Sequence, residues 1–198
     1  MENLTVRPMP LFLDADGALL AIPLALGAIW PRLRSAELVR TLPEEAAFPS
    51  RIWFDPEVVE GLNELIGQSL VQPVWMTTWD DAANRLLAPA LGVAGAPWPV
   101  ATVGTRQGAD APDGLWVKTS AVGRWLVEQH RIDAPMVVVD DLLGDRQGGT
   151  ESVQRRSIEQ VNGAEKLLIA PHPQRGLQPQ QVKEIGEFAK RYAAEKMA

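Results

Sequence analysis

The chain has 198 residues, no cysteine, a net charge of -6 and a pI near 5.0. A chain of this length forms one domain that buries roughly 70% of its unfolded surface, so it needs neither disulfides nor a structural metal to fold. Without thiols there is no disulfide framework and no Cys-ligated zinc or iron–sulfur centre, and the acidic balance argues against a broad electrostatic footprint for duplex nucleic acid.

The opening MENLTVRPMP has no basic stretch ahead of an apolar run and does not read as a signal peptide. The longest weakly polar stretch, Ala18 to Trp30, contains Pro23 and Gly27 and is too short to span a bilayer. The expectation is a cytoplasmic protein with no membrane segment. Seven tryptophans are assigned by default to core packing.

In chain order, Val6 to Leu13 ends in the apolar run Leu11-Phe12-Leu13, stopped by Asp14, and predicts a buried strand followed by a loop. Residues 20–54 leave room for a flap or small insertion. Residues 55–70 predict a helix, with Asp55 as N-cap, Pro56 at the first helical position, and Val58, Val59, Leu62, Leu65 and Ile66 on one stripe. Pro73 to Met76 predicts a strand ending at Thr77-Thr78. A helix is expected over 80–91, a third strand over Trp98 to Val103, and a loop over 105–115, which is rich in Gly, Asp and Pro. Ser120 to His130 predicts a helix, Met136 to Val139 a strand ending in Asp140-Asp141, and 144–152 a glycine-rich loop. Lys166 to Ala170 is a fifth strand and 178–196 a long helix.

Short apolar strands alternating with helices predict a single α/β domain over 1–198. Its architecture is a three-layer, Rossmann-like parallel sheet with helices on both faces. Ligands in such sheets bind beyond the carboxyl ends of the strands. Here those ends carry Asp14 and Asp16, Thr77 and Thr78, and Asp140 and Asp141, and the three clusters are expected to converge on one crevice.

The segment Leu11-Phe12-Leu13-Asp14-Ala15-Asp16-Gly17-Ala18-Leu19 resembles the first signature of the haloacid dehalogenase (HAD) superfamily, D-x-D-G-x-L after an apolar strand. Val74 to Thr77, Lys118 ahead of a predicted helix, and Val137 to Asp141 resemble that superfamily's second, third and fourth motifs, in order. More narrowly, Trp75-Met76-Thr77-Thr78-Trp79 with Asn84, Trp116-Val117-Lys118, Asp140-Asp141 and Pro173-Gln174-Arg175-Gly176-Leu177 resemble the HAD domains of RNA-repair ("Swiss Army Knife") proteins. The one departure, Ala18 where Thr or Val is usual, is a small apolar change.

The resemblance implies a Mg²⁺-dependent phosphatase acting through an aspartyl-phosphate. The residue types suit that chemistry: a carboxylate nucleophile splits one hard phosphoryl transfer into two easier ones, and a second carboxyl group can protonate the leaving oxygen and then activate water. By resemblance Asp14 is the nucleophile and Asp16 the acid and base. Thr77 or Thr78, Lys118 and the Gly17 turn hold the phosphoryl group. Mg²⁺ takes oxygen ligands, assigned to Asp14, the Asp16 backbone carbonyl and Asp140. Asp141 binds directly, binds through water or orients the site, and Asp145 is a further candidate.

Other readings compete residue by residue. A lone D-x-D-G is often a solvated turn, Asp140-Asp141 can cap a helix, and Lys118 can be a surface lysine. An EF-hand is rejected because its fifth and twelfth positions fall on Ala18 and Ala25. His130 and His172 share no metal-ligand spacing and read as structural. Trp79 is either core or a platform on which a base stacks. Arg155, Arg156 and Arg175 read as solvated surface charges.

Asp14 and Thr77 are 63 positions apart and Thr77 and Lys118 are 41 apart, too few for a large cap in either interval. The expected site is therefore minimally capped or uncapped, open to a nucleotide or a phosphorylated nucleic-acid end. A HAD-fold accessory module with little turnover, and a phosphotransferase using an acceptor other than water, are the alternatives.

Overall fold

The computed structural model describes residues 7–23, 31–40, 48–103, 116–144 and 152–197. The first strand, β1 (Met9–Leu13), is buried at all five positions, as a strand covered on both faces must be. A hairpin-like antiparallel pair follows, β2 (Arg34–Arg40) with β3 (Phe48–Phe54). Helix α1 (Pro56–Gly67) starts where expected: the Asp55 carboxylate accepts the Glu57 N–H at 3.0 Å, and Pro56 opens the first turn. Strand β4 (Val71–Trp75) leads to a π-helical turn, Ala83–Leu87, that runs into the short α2 (Ala88–Leu91). Then come α3 (Val117–Glu128), β5 (Met136–Val139), a 3₁₀ turn at Asp141–Leu143, α4 (Val153–Glu159), β6 (Lys166–Ile169) and α5 (Pro179–Met197).

β4, β1, β5 and β6 form one parallel sheet in that order. Strand alternation sends successive side chains of β1 to opposite faces. Leu11 and Leu13 join a core with α1 and α5 residues such as Leu62 and Ile185. Phe12 joins a second core with Val138, Trp125 and Ile158 under α3 and α4, and its ring meets Trp125 edge-on at 5.3 Å. Two cores, one on each face, make the three-layer α/β architecture.

The chain leaves β1 for β4 on one side and returns to β5 on the other, so the strand order switches direction beside β1. The carboxyl end of that point is where such sheets bind ligands.

Several elements differ from expectation. The β2–β3 pair was not anticipated; it lies within 20–54, and the bond from the Ala21 N–H to the Trp53 carbonyl (2.8 Å) ties the chain leaving β1 to it. The segment expected as a third strand contributes one bridge, between Val100 and Trp75, instead of a full strand. Helix α3 begins at Val117, three residues early, so Lys118 lies on its first turn rather than ahead of it. The helix expected over 80–91 is interrupted by the π-helical turn, a conformation that often marks a local packing demand. There Asn84 accepts the Trp75 indole N–H (3.0 Å) and the Trp98 backbone N–H (2.8 Å) and donates to the Trp98 carbonyl (2.8 Å). That side chain binds the edge of the sheet to the helix behind it. The expected 105–115 loop and Asp145 lie outside the described residues. No helix among the described residues is long and apolar enough to cross a membrane.

Candidate active site

The acids meet because of strand register. Leu13 is paired with Val139 on one side and Trp75 on the other. Neighbouring strands lie about 4.8 Å apart, so the residues just past these ends are neighbours too. The ladder continues one step: Asp14 N–H donates to Val139 O (3.0 Å), Asp140 N–H to Ile169 O (3.1 Å) and Met76 N–H to Leu13 O (3.0 Å).

Phe12 and Val138 face the α3 side, so by alternation Asp14 and Asp140 address α3, whose first turn carries Lys118. The Lys118 ammonium lies 2.7 Å from Asp14 Oδ2 and 2.5 Å from Asp140 Oδ2. All three side chains are buried, Asp140 completely. The ammonium also sits 5.6 Å from the centre of the Trp116 ring.

Asp14 Oδ1 accepts the Ala15 N–H (2.8 Å), and Asp140 Oδ1 accepts the Leu142 N–H (2.8 Å), which starts the 3₁₀ turn that carries Asp141. Asp140 therefore caps a helical turn and pairs with Lys118 at once.

Burial pushes Asp14 up to about 7; Lys118 pulls it down and Asp140 pushes it up further. Burial likewise raises Asp140, against the opposing pull of Lys118. On Lys118 burial acts to lower the pKa, but the two adjoining carboxylates outweigh it and the net shift is upward.

Asp14, Asp140 and Asp141 can each offer an oxygen within 4.8 Å of the others. With all three carboxylates ionised, they and the one ammonium leave a net charge of -2, which a divalent cation matches. An all-oxygen set with few carboxylates suits Mg²⁺. Gly17 supplies a second sign of fit. It adopts φ +77°, and a Cβ built there would lie 2.8 Å from Asp141 Cγ and about 3 Å from both its oxygens. Only glycine lets this backbone turn close over that carboxylate.

Asp16 is placed differently from the other acids. Its carboxylate lies outside the three-acid cluster, is exposed, and accepts the Trp79 indole N–H at 2.8 Å. Thr77 is fully buried and its hydroxyl oxygen accepts the Trp79 backbone N–H at 3.4 Å, whereas Thr78 is exposed. Trp79 is buried in the core on the α1 and α5 face, which leaves little ring surface for a base.

The link between Trp79 and Asp16 was not anticipated; the available signal was that a buried indole N–H needs an acceptor. The Pro173–Leu177 stretch has a structural purpose that its sequence does not show. Leu177 N–H bonds Ala18 O at 2.6 Å, Ile22 N–H bonds Pro173 O at 2.8 Å, and a Cβ on Gly176 would come within 2.9 Å of Ala18 O. This loop braces the segment that leaves Asp16 and Gly17. Arg175 and His172 are exposed on it, and Arg155 bonds the Leu168 carbonyl at 3.1 Å.

Comparison with known proteins agrees with this layout. The family model for the HAD domain in Swiss Army Knife RNA repair proteins matches residues 10–182. No curated protein and no solved structure gives a match. The matched stretch runs from β1 into α5 and takes in Asp14, Thr77, Lys118 and Asp140; the chain belongs to this family of HAD domains.

Proposed function

We propose that this domain is a Mg²⁺-dependent phosphatase that works through a phosphorylated Asp14 and acts on nucleotide or polynucleotide phosphate ends. A HAD domain indicates phosphatase-type hydrolysis in general. The observation that carries the finer reading is the buried Asp14 and Asp140 on a single ammonium, with the half-buried Asp141 within 4.8 Å of both. A nucleophile, a charge-matching partner and a residual charge of -2 occupy one crevice.

Asp14, Asp140 and Asp141 would hold the cation, with the Asp16 backbone carbonyl as a further candidate ligand. When bound, Mg²⁺ supplies charge neutralisation at the phosphoryl oxygens and keeps Asp14 ionised. The protein's own groups do the rest. An Asp14 oxygen attacks phosphorus, the bond to the leaving oxygen breaks, and Asp16 passes its proton to that oxygen. Water then attacks the phosphorus of the aspartyl-phosphate and gives its proton to Asp16. The acyl-phosphate bond breaks, inorganic phosphate leaves and both carboxyl groups return to their starting states.

Lys118 holds a phosphoryl oxygen while screening Asp14 from Asp140. The Thr77 hydroxyl accepts the Trp79 N–H and keeps its own proton to donate to another phosphoryl oxygen. The RNA-repair description of the family supports a nucleic-acid end as substrate, and a cysteine-free chain suits a reducing, cytoplasmic setting.

The test is hydrolysis of p-nitrophenyl phosphate and of 5′- and 3′-phosphorylated RNA oligonucleotides with Mg²⁺, in the wild type and in Asp14→Asn. Turnover in the wild type should fall at least ~10³-fold in the variant, as it does when an enzyme loses its nucleophile. Equal rates would overturn the proposal. Mg²⁺ binding with no turnover on any phosphoester would point instead to an accessory module.

A further inference from the structure

A carboxyl group that must protonate one oxygen has to be aimed, and among the described residues one side chain holds the Asp16 carboxylate. It is exposed, and the next residue is a left-handed glycine. The contact the structure gives its carboxylate is the Trp79 indole N–H, 2.8 Å from Oδ2.

The donor is rigid. The Trp79 ring is buried, with 7% of the residue exposed. Its backbone N–H faces the Thr77 hydroxyl oxygen at 3.4 Å, and the next N–H, of Asp80, bonds the Thr77 carbonyl at 3.3 Å. Asp80 takes φ +44°, a conformation that is unfavourable for a non-glycine residue and persists only where the surroundings enforce it. The turn that follows Thr77 is thus fixed, and the indole projects from it onto the first motif.

We propose that Trp79 is the positioning residue for Asp16: its indole N–H holds Oδ2 and leaves Oδ1 to carry and deliver the proton. In a carboxylic acid the carbonyl oxygen is the better acceptor, so a donor fixed at Oδ2 directs the proton to Oδ1. Oδ1 then gives that proton to the leaving oxygen and takes one back from the attacking water. Holding a catalytic group in one orientation is a direct source of rate. This inference rests on Asp16 being the general acid of the reaction proposed above.

The experiment is a leaving-group series. Aryl phosphates from p-nitrophenyl phosphate to phenyl phosphate are followed in single turnover with Mg²⁺. The proteins are wild type, Asp14→Asn, Asp16→Asn, Trp79→Phe, and the protein with 3-benzothienylalanine at position 79. That analogue keeps the bicyclic ring and lacks the N–H donor, so it holds the core if phenylalanine does not. A good leaving group needs no proton, whereas a poor one does. Both Trp79 replacements should react with p-nitrophenyl phosphate within about twofold of wild type. With phenyl phosphate they should lose about tenfold, part of the 10²–10⁴ that positioned acid catalysis provides.

The dependence of rate on leaving-group pKa should steepen toward that of Asp16→Asn. General damage to the fold would lower all rates together and leave the slope unchanged. An unchanged slope in the benzothienylalanine protein, with the wild type active and Asp14→Asn inactive, overturns the role of Trp79 alone. No turnover in the wild type, or turnover equal to that of Asp14→Asn, overturns the hydrolase reading and this one with it.

Discussion

Replacing Lys118 with methionine keeps an unbranched apolar stem and removes the ammonium that lies 2.7 Å from Asp14 and 2.5 Å from Asp140. Removing one partner from a buried ion pair costs about 3–5 kcal/mol, because it leaves buried charge uncompensated. In a domain of this size each kcal/mol moves the melting temperature by about 2–4 °C. The metal-free variant should therefore melt about 6–20 °C below the wild type at pH 8. The gap should narrow at pH 5.5, because burial holds Asp14 up at about 7 even against the pull of Lys118, and without that pull it takes a proton more readily and relieves its repulsion with Asp140. Lys118 is itself raised, so its own titration leaves its contribution intact below 10.5 and removes it only as pH rises through its folded-state pKa; the narrowing at low pH comes from its carboxylate partner. Thermal melts by circular dichroism in EDTA, then in Mg²⁺, read all of this. Mg²⁺ should restore more stability to the variant than to the wild type, since the cation replaces part of the missing charge. A variant melting within about 2 °C of wild type in EDTA at pH 8 would refute the reasoning, because that gap corresponds to less than about 1 kcal/mol.

Two further outcomes follow from the same acids. Asp14 is raised from 3.8 to about 7, the reverse of a salt-bridged surface aspartate. Below pH 3.8 both folded and unfolded states hold the proton; between 3.8 and about 7 the folded state alone holds it, so this group's contribution to stability falls as pH rises and is fully unfavourable above 7. Mg²⁺ needs the ionised form, so its affinity should rise from pH 5.5 to 8, and calorimetry at pH 6 in two buffers of different ionisation enthalpy should detect proton release; zero release counts against Asp14 as a ligand. Gly17→Ala meets both an unfavourable φ of +77° and the Asp141 carboxylate 2.8 Å away. It should cost about 1–2 kcal/mol of stability and weaken Mg²⁺ binding about tenfold, equivalent to about 1.4 kcal/mol; unchanged Mg²⁺ affinity by titration would show that Asp141 does not serve the ion.

What could be read from the sequence was whatever a buried parallel strand forces into view. Leu11 to Leu13 and Met136 to Val139 are fully buried, hence apolar throughout, hence visible, and a carboxylate ending such a run stands out. The β2–β3 pair was hidden because its pattern is weak: Arg34, Ser35, Glu37 and Val39 are exposed, and among the β2 side chains described only Leu38 is buried. Trp98 to Val103 looked like a strand but pairs through one bridge, since Asn84 takes the Trp98 backbone groups that could have continued a ladder. α4 is only seven residues long, too short for its period to show. The Trp79–Asp16 bond joins residues 63 apart, and neither local propensity nor periodicity carries that information.

The brace between Leu177 and Ala18 has a consequence for the order of assembly. As the chain is synthesised, every acid of the cluster has been made by residue 141, yet the loop that pins the segment leaving Gly17 comes only with residues 173–177. The nascent domain thus passes through a stage in which its carboxylates exist without their late buttress. Completion of the centre is tied to a loop that is made later than its final acid.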